Sequence, residues 1–413
     1  MPCPYSYAVD SIPLGVPPES AIAEEAASPE LQLDPKVQIP FFHTPTSTKS
    51  LLGPFAEIEK SLLGTELSQL IHTLKWAGME LESHIFDRNG VSTVLEKTEQ
   101  AFKTLDLVSL PAMEVDPAQK KAVQIDPNLK GFSPFDLYDQ YMRIVRLEEM
   151  SPGQFIRQNL ETCAWFVQEL ASSPVSNYEI SRALLGMKII LEDCRSSSGK
   201  AVVPSSPGKP LEATPSTTAC LATNAYRRWI IAHQAFALAM VFSTYHLDQA
   251  IALLDQSPDE AARELELAAD LLRMATTATL CGASMPPAIY QNVIRPSMSS
   301  TAMPNGFSGT QNPDFSRWKK SKDQLRRMIS EGTEITHPAL RKAIRYFRSL
   351  YLEDMEQHIQ VATALVGRKP SLLQEQISHY LPKEKQESNG AIEILRKILR
   401  IRYNEFNISF LKN

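Results

Sequence analysis

A single histidine, His358, lies on the predicted buried face of a long helix near the C-terminus. The helix should be opened by Thr336-His337-Pro338 and closed by Gly367, because proline favours the first helical turn and glycine the position after the last. The apolar residues that define this face recur every three or four positions, or at multiples of that spacing: Leu340, Ile344, Phe347, Tyr351, Met355, Ala362 and Leu365. A buried neutral imidazole needs a partner for each ring nitrogen, and a metal ion can be one of them. His358 is therefore either a core histidine bonded to the backbone or a metal ligand.

A second histidine, His233, lies in the segment Arg228–Met240, which is apolar on nearly every side and predicts a central helix. Two buried histidines on two central helices could face one another across a flat cofactor, one as ligand and one as a distal hydrogen-bond partner. Taken alone, His233 is equally compatible with a hydrogen-bonded core residue.

Three further segments have residue types suited to a binding site. Arg295 precedes Pro296, which predicts the end of a short helix, and a guanidinium there suits a carboxylate or propionate; a surface ion pair is the alternative. The segments 305–312 and 387–391 contain small polar residues and glycine, as loops that close over a ligand do. Neither contains a phosphate-binding GxxxxGK[ST] or GxGxxG motif.

In their order along the chain, these segments resemble the tryptophan/indoleamine dioxygenase superfamily of haem proteins, including its monodechloroaminopyrrolnitrin synthase-like branch. The resemblance covers roughly residues 220–410 and is carried by His233-Gln234, Tyr290 to Arg295, Phe307-Ser308-Gly309, His358-Ile359-Gln360-Val361-Ala362 and Asn389-Gly390. The sequence departs from the family where Ser388-Asn389-Gly390-Ala391 replaces a GTGG loop, so that the threonine that meets the substrate ammonium group is lost.

The resemblance implies a haem b cofactor whose iron is bound by His358, with His233 as the distal catalytic residue. It implies an indole or other aromatic amino acid as substrate and dioxygen as oxidant. The residues implied to bind the substrate are Arg295, Tyr290, Phe236, Ser308, Gly309 and Gly390. The departures leave open whether the reaction is an oxygenation or the rearrangement of a halotryptophan.

Two alternatives come from other classes of protein. A cofactor-free all-α interaction protein would keep His233 and His358 apart or bonded to backbone. A di-iron bundle needs two Glu-x-x-His pairs, and only Glu334 to His337 has that spacing.

Helical periodicity dominates the chain, and strand-like alternation is nearly absent, so we predict an all-α fold. Residues 1–50 are rich in proline and serine and predict an extended arm that wraps the folded body or stays mobile. Residues 51–194 form an N-terminal helical region in which 134–150 is expected to be one helix. Residues 195–222 form a Ser/Pro-rich loop, and residues 223–413 form the haem-binding catalytic domain.

Composition excludes several classes of partner. The net charge of −5 over 413 residues, without basic runs, argues against nucleic acid and anionic membranes. The five cysteines never occur in CxxC spacing, which argues against a zinc ribbon or disulfide framework and favours a reducing cytosol. No membrane span is expected. The oligomeric state is not indicated.

Overall fold

The computed structural model describes residues 40–45, 64–83, 88–103, 134–147, 152–196, 221–298, 309–331, 335–367, 369–372 and 390–405. Within these stretches most residues are helical, and two strands of four residues each are the exception. The predicted all-α class is confirmed. Residues 197–220, the greater part of the predicted Ser/Pro-rich loop, lie outside the described residues, as do 1–39 of the predicted arm.

The elements in chain order are β1 (Phe42–Pro45), α1 (Gly64–Ser83), α2 (Arg88–Lys103), α3 (Pro134–Tyr141), β2 (Ile144–Leu147), α4 (Pro152–Ser172), α5 (Asn177–Ser196), α6 (Leu221–Leu253), α7 (Pro258–Gly282), α8 (Pro287–Ile289), a π turn (Tyr290–Ile294), α9 (Arg295–Ser297), a 3₁₀ turn (Gly309–Gln311), α10 (Pro313–Glu331), α11 (Pro338–Leu365) and α12 (Ala391–Glu405).

The prediction of one helix over residues 134–150 is wrong. α3 stops at Tyr141, and Arg143 adopts a positive φ of 55°, which turns the chain out of the helix. β2 then pairs in parallel with β1, with Phe42 opposite Ile144. The long-range pairing outweighs the local helical pattern of this segment.

The short sheet is attached to the central helix α6 by one side chain. The Gln234 amide donates to the carbonyl oxygens of Pro40 at 2.9 Å and Met142 at 3.1 Å. Residues 40–45 therefore lie against the folded body. Gln234 has a structural role here, although it stands beside His233 in the sequence.

α7 lies at the centre of the helices. It packs along α6 and also contacts α5 and α11, while α10 covers α6 and α12 covers α11. One cluster of buried apolar side chains extends from Phe42 to Leu365, so the predicted regions 51–194 and 223–413 share a single core. At Gly186 on α5, an added Cβ would lie 2.6 Å from the Cβ of Met274 on α7, so glycine permits the close approach of these two helices.

Among the described residues, α6 is long and apolar enough to cross a membrane by length and composition, which the sequence analysis did not expect. Of its most apolar window, 83% is buried inside the protein. The core helix of a soluble protein has the same length and composition, so this feature is weak evidence for a membrane span.

His246 on α6 joins α5 and α7 through two ion pairs. Its Nδ1 lies 2.6 Å from Oε2 of Glu264, and its Nε2 lies 2.9 Å from Oδ2 of Asp193. Both ring nitrogens can donate only when the imidazole is protonated. Burial acts to lower the pKa of His246, but the two carboxylates outweigh it and raise the pKa to about 9.

We expect the free energy of unfolding to fall as the pH rises towards 9. Because the folded pKa of about 9 exceeds the unfolded value of about 6.5, the stabilisation is fully present below pH ~6.5 and is lost as the pH rises through the folded pKa. The loss should be about 3 kcal/mol, since a tenfold change in proton affinity is worth about 1.4 kcal/mol. Urea unfolding across this pH range measures it. His246→Gln should flatten the dependence, while His72→Gln, at an exposed position, should keep it. A His246→Gln protein with wild-type pH dependence would assign the effect to another group.

Candidate functional site

The ring of His233 is held in one orientation on α6. Its Nδ1 lies 2.7 Å from the carbonyl oxygen of Trp229, one helical turn earlier. Since a carbonyl oxygen can only accept, the proton of the neutral ring is on Nδ1 and the lone pair is on Nε2. The indole of Trp229 packs against the imidazole with ring centroids 4.3 Å apart. Gly282, at the end of α7, approaches this turn so closely that an added Cβ would lie 3.0 Å from Ala232 and 3.9 Å from Nδ1 of His233.

His233 is uncharged at neutral pH. Burial lowers the pKa of His233 to about 4, although the hydrogen bond to Trp229 opposes this effect, and His358 lowers the pKa further. His358 therefore lies within electrostatic range of His233.

His358 lies on the predicted face of α11, but its surroundings differ from the prediction. Its apolar neighbours along this face, Tyr351, Met355 and Ala362, are buried, whereas more than a third of the His358 surface is accessible. Burial by neighbouring protein atoms nevertheless lowers the pKa of His358. The expectation of a fully buried His358 is therefore wrong, because much of its side chain is accessible from outside the protein.

The end of α11 has the predicted glycine. The backbone N–H groups of Val366 and Gly367 both donate to the carbonyl oxygen of Ala362, at 2.8 and 3.0 Å. Gly367 has a φ of +63°, a left-handed conformation that glycine adopts without a Cβ clash.

The proline after Arg295 predicted that a short helix ends at Arg295. In the structure, helical turns continue through Arg295 between residues 287 and 298. The residues Tyr290–Ile294 form a π turn, and Arg295 begins α9 directly after it. π turns are rare and frequent at functional sites. The side-chain amide of Gln291, inside this turn, donates to the carbonyl oxygen of Leu365. The π turn is thereby joined to the C-terminal end of the His358 helix.

Arg295 and Gly390 meet at the segment that follows α11. Arg295 is buried, with 8% of its surface exposed, and its Nη2 donates to the carbonyl oxygen of Pro370 at 2.7 Å. The neighbouring Lys369 carbonyl accepts the backbone N–H of Ala391 at 3.4 Å. Gly390 immediately precedes α12 at this point.

An aromatic wall, formed by Tyr290, Trp229, Tyr226 and Tyr141, connects the π turn to His233. The ring centroid of Tyr290 lies 6.0 Å from that of Trp229. Tyr141, whose ring meets Tyr226 edge-to-face at 6.2 Å, continues the wall, and its hydroxyl lies 2.6 Å from Oγ of Ser297 on α9. Burial raises the pKa of Tyr141 well above its ordinary value. The phenol is therefore uncharged, and the wall suits an aromatic ligand.

The other predicted substrate-binding residues lie in different surroundings. Phe236 is half-buried and packs against Phe315 on α10, with ring centroids 6.4 Å apart. Gly309 is exposed, begins the 3₁₀ turn before α10, and an added Cβ there would meet no atom within 4 Å. Steric need does not explain a glycine at this position. Ser308 lies outside the described residues.

Asp354 lies next to His358 on α11, and the sequence did not identify this carboxylate as a candidate site residue. Thr276 on α7 donates to its Oδ1 at 3.1 Å, and Arg402 on α12 donates to its Oδ2 at 3.1 Å. The one available signal was its position four residues before His358, which places the two side chains together on one face of a helix.

Trp229 was also missed, although it stands four residues before His233. Its Nε1 atom is buried and has no hydrogen-bond partner within the described part of the chain. A buried donor without a partner costs free energy, and such groups occur in native structures mainly where a ligand or water completes the site.

These residues fit a haem better than a bare metal ion. Within the described residues, no group of three or more His, Cys, Asp or Glu side chains could hold a metal ion. A haem brings its own equatorial nitrogens and needs only an axial ligand from the protein. The neutral imidazoles of His358 and His233 are of the chemical type that binds haem iron, and the aromatic wall suits a flat macrocycle.

Comparison with known proteins gives one family and one structure. Residues 71–343 match the sequence model of the family described as SfmD 3-methyl-L-tyrosine peroxygenase. This range includes His233, Tyr290 and Arg295 and ends before His358. A crystal structure of reduced SfmD, soaked with sodium hydrosulfite, matches 78% of this chain and 97% of its own chain at 18% identity and a TM-score of 0.45. A search of curated proteins found no match. Because the family match covers more than half of the 413 residues, the chain belongs to the SfmD 3-methyl-L-tyrosine peroxygenase family.

Proposed function

We propose that the protein is a haem-dependent peroxygenase that hydroxylates the ring of a tyrosine-type amino acid. Family membership supports the oxidant and the substrate class, and it agrees with the predicted haem cofactor. In such a reaction hydrogen peroxide delivers one oxygen atom to a ring carbon, and the other leaves as water. This proposal replaces the expected dioxygen with peroxide, and it narrows the expected indole or other aromatic amino acid to one with a phenol ring. The wider relation to the tryptophan/indoleamine dioxygenase superfamily is part of the proposal.

The observation that carries the proposal is the pair of neutral imidazoles on α6 and α11. The accessible His358 would hold the haem iron, and His233 would act as the distal residue. When bound, the haem supplies the iron at which peroxide is activated. The hydrogen bond from His233 to Trp229 leaves Nε2 of His233 as the nitrogen that can accept a proton from peroxide and return it to the departing water.

The substrate would be held by its carboxylate and its ring. Arg295 is positioned next to the end of the His358 helix, and a guanidinium binds a carboxylate through two parallel hydrogen bonds. Tyr290 and Phe236 would contact the substrate ring, and the loops at Ser308, Gly309 and Gly390 would exclude water once the substrate is bound.

Labelled oxidants test this function. The purified protein, reconstituted with haem, is supplied anaerobically with ¹⁸O-labelled hydrogen peroxide and 3-methyl-L-tyrosine, L-tyrosine or L-tryptophan. We expect one ¹⁸O atom in a hydroxylated tyrosine-type product and no turnover of tryptophan. A product that requires air and contains two atoms from ¹⁸O₂ would support the dioxygenase instead. A protein that binds no haem would support the cofactor-free alternative.

We predict that His233 is distal and does not ligate the iron. The ferrous protein should then bind carbon monoxide readily, because one axial position is open. His233→Ala should retain haem while turnover falls by roughly 10²–10⁴-fold, the usual contribution of a general acid–base group. Because Nε2 of His233 carries a lone pair, it is also chemically able to bind iron. A low-spin bis-histidine spectrum that resists carbon monoxide in the wild type and disappears in His233→Ala would show this second arrangement.

A further inference from the structure

Asp354 stands one helical turn before His358 on α11. Residues four apart on a helix have Cβ atoms about 5–6 Å from each other, so the Asp354 carboxylate and the His358 ring are neighbours. The side chain of Asp354 is mostly enclosed, with 17% of its surface exposed. This carboxylate has no role in the function proposed above.

Two other helices fix the orientation of the carboxylate. The Thr276 hydroxyl on α7 shares its one proton between Oδ1 at 3.1 Å and the carbonyl oxygen of Leu272 at 3.0 Å. Arg402 on α12 donates to Oδ2 at 3.1 Å. Arg402 is itself fixed, because the same Nη1 donates to the carbonyl oxygen of Tyr351 at 3.1 Å and its guanidinium lies 4.1 Å from the centroid of the Tyr351 ring. Each carboxylate oxygen has two acceptor positions. The known partners therefore leave acceptor capacity for an N–H from His358.

We propose that Asp354 is a positioning residue for His358: its carboxylate accepts the Nδ1–H of the ring and thereby directs Nε2 towards the haem iron. The inference rests on the proposed function, in which His358 is the iron ligand. A ligating histidine commonly donates its other ring N–H to a carboxylate or carbonyl, which fixes the tautomer and strengthens the ligand as a donor.

A carboxylate hydrogen-bonded to the ring pushes electron density towards the iron, and a stronger axial donor favours cleavage of the peroxide O–O bond. Such a push from Asp354 through His358 would assist the peroxide chemistry of the proposed function.

The test compares Asp354→Asn with Glu353→Gln in the haem-loaded protein. Both changes remove one negative charge, but Glu353 lies about 100° further round the helix and contacts Arg273 at 3.4 Å. We measure the Fe(III)/Fe(II) midpoint potential and the iron–histidine stretching band of the ferrous protein. For Asp354→Asn we expect a tenfold shift towards the ferrous form at fixed potential, about 59 mV for one electron, and a lower stretching frequency. Glu353→Gln should change neither.

The outcomes separate this inference from the proposed function. If Asp354→Asn lowers the melting temperature and leaves both the potential and the stretching band unchanged, Asp354 only joins helices, and the inference is wrong. If His358→Ala keeps the wild-type spectrum, the proposed function itself fails. Should Asp354→Asn not fold, Asp354→Glu retains the charge but displaces the carboxylate by one methylene group, so a smaller shift of the band in the same direction is expected. An unchanged band in that variant would overturn the inference.

Discussion

The His358→Ala protein should fold and should purify with little or no haem. The loss removes the axial bond to iron itself, so we expect haem affinity to fall by more than the roughly 10- to 100-fold typical when an outer partner of a metal ligand is lost. Haem content per chain, measured after reconstitution, gives the result directly. Circular dichroism checks the fold, which should be retained because the His358 side chain is exposed.

Added imidazole offers a sharper form of the same test. Because more than a third of the His358 surface is accessible, free imidazole should reach the position left by the alanine side chain and restore a histidine-like spectrum. His72→Ala, at an exposed position on α1, should keep its haem without added imidazole. If His358→Ala binds haem with an unchanged spectrum, another residue holds the iron, and the assignment of the proximal ligand is wrong.

The sequence predicted helices well where local signals mark both ends. α11 begins at Pro338 and ends before Gly367, as proline and glycine indicated. β2 was missed because its four residues are too short for a periodic signal. Its pairing with β1, about a hundred residues earlier in the chain, depends on tertiary contacts that no local pattern contains.

The site was predicted only in part, for a related reason. The helical spacing identified His233 and His358, because residues on a central helix face the interior together. The helical spacing could not distinguish a face that packs against other helices from a face that is accessible, so the accessibility of His358 was not expected. The carbonyl of Pro370 that receives Arg295 lies 75 residues further along the chain. No spacing rule predicts such a contact.

Arg295→Ala should weaken substrate binding by roughly ten- to a hundredfold while haem content stays normal. A charge-assisted pair of guanidinium and carboxylate is worth on the order of 1.5–3 kcal/mol, and Arg295→Lys should lose much of it because an ammonium cannot form the parallel fork. The contact with Pro370 does not replace such an anion, since a backbone carbonyl has no net charge. Spectral titration of the haem protein with 3-methyl-L-tyrosine and with the amine that lacks the carboxylate gives both affinities. The amine should bind the wild type poorly and should respond little to the substitution.

Arg341→Ala is the matched control, because Arg341 also donates to a backbone carbonyl, that of Ile335, at 2.5 Å. It stands on α11 about 25 Å from His358 at 1.5 Å per residue, so its loss should leave both affinities unchanged.

The three explanations of the role of Arg295 predict different results. A substrate carboxylate predicts weaker amino-acid binding with normal haem, and a haem propionate predicts loss of haem. A purely structural bond to Pro370 predicts a lower melting temperature, with equal effects on the amino acid and the amine. Only the first result supports Arg295 as the group that selects an amino-acid substrate, because only a carboxylate distinguishes the two ligands.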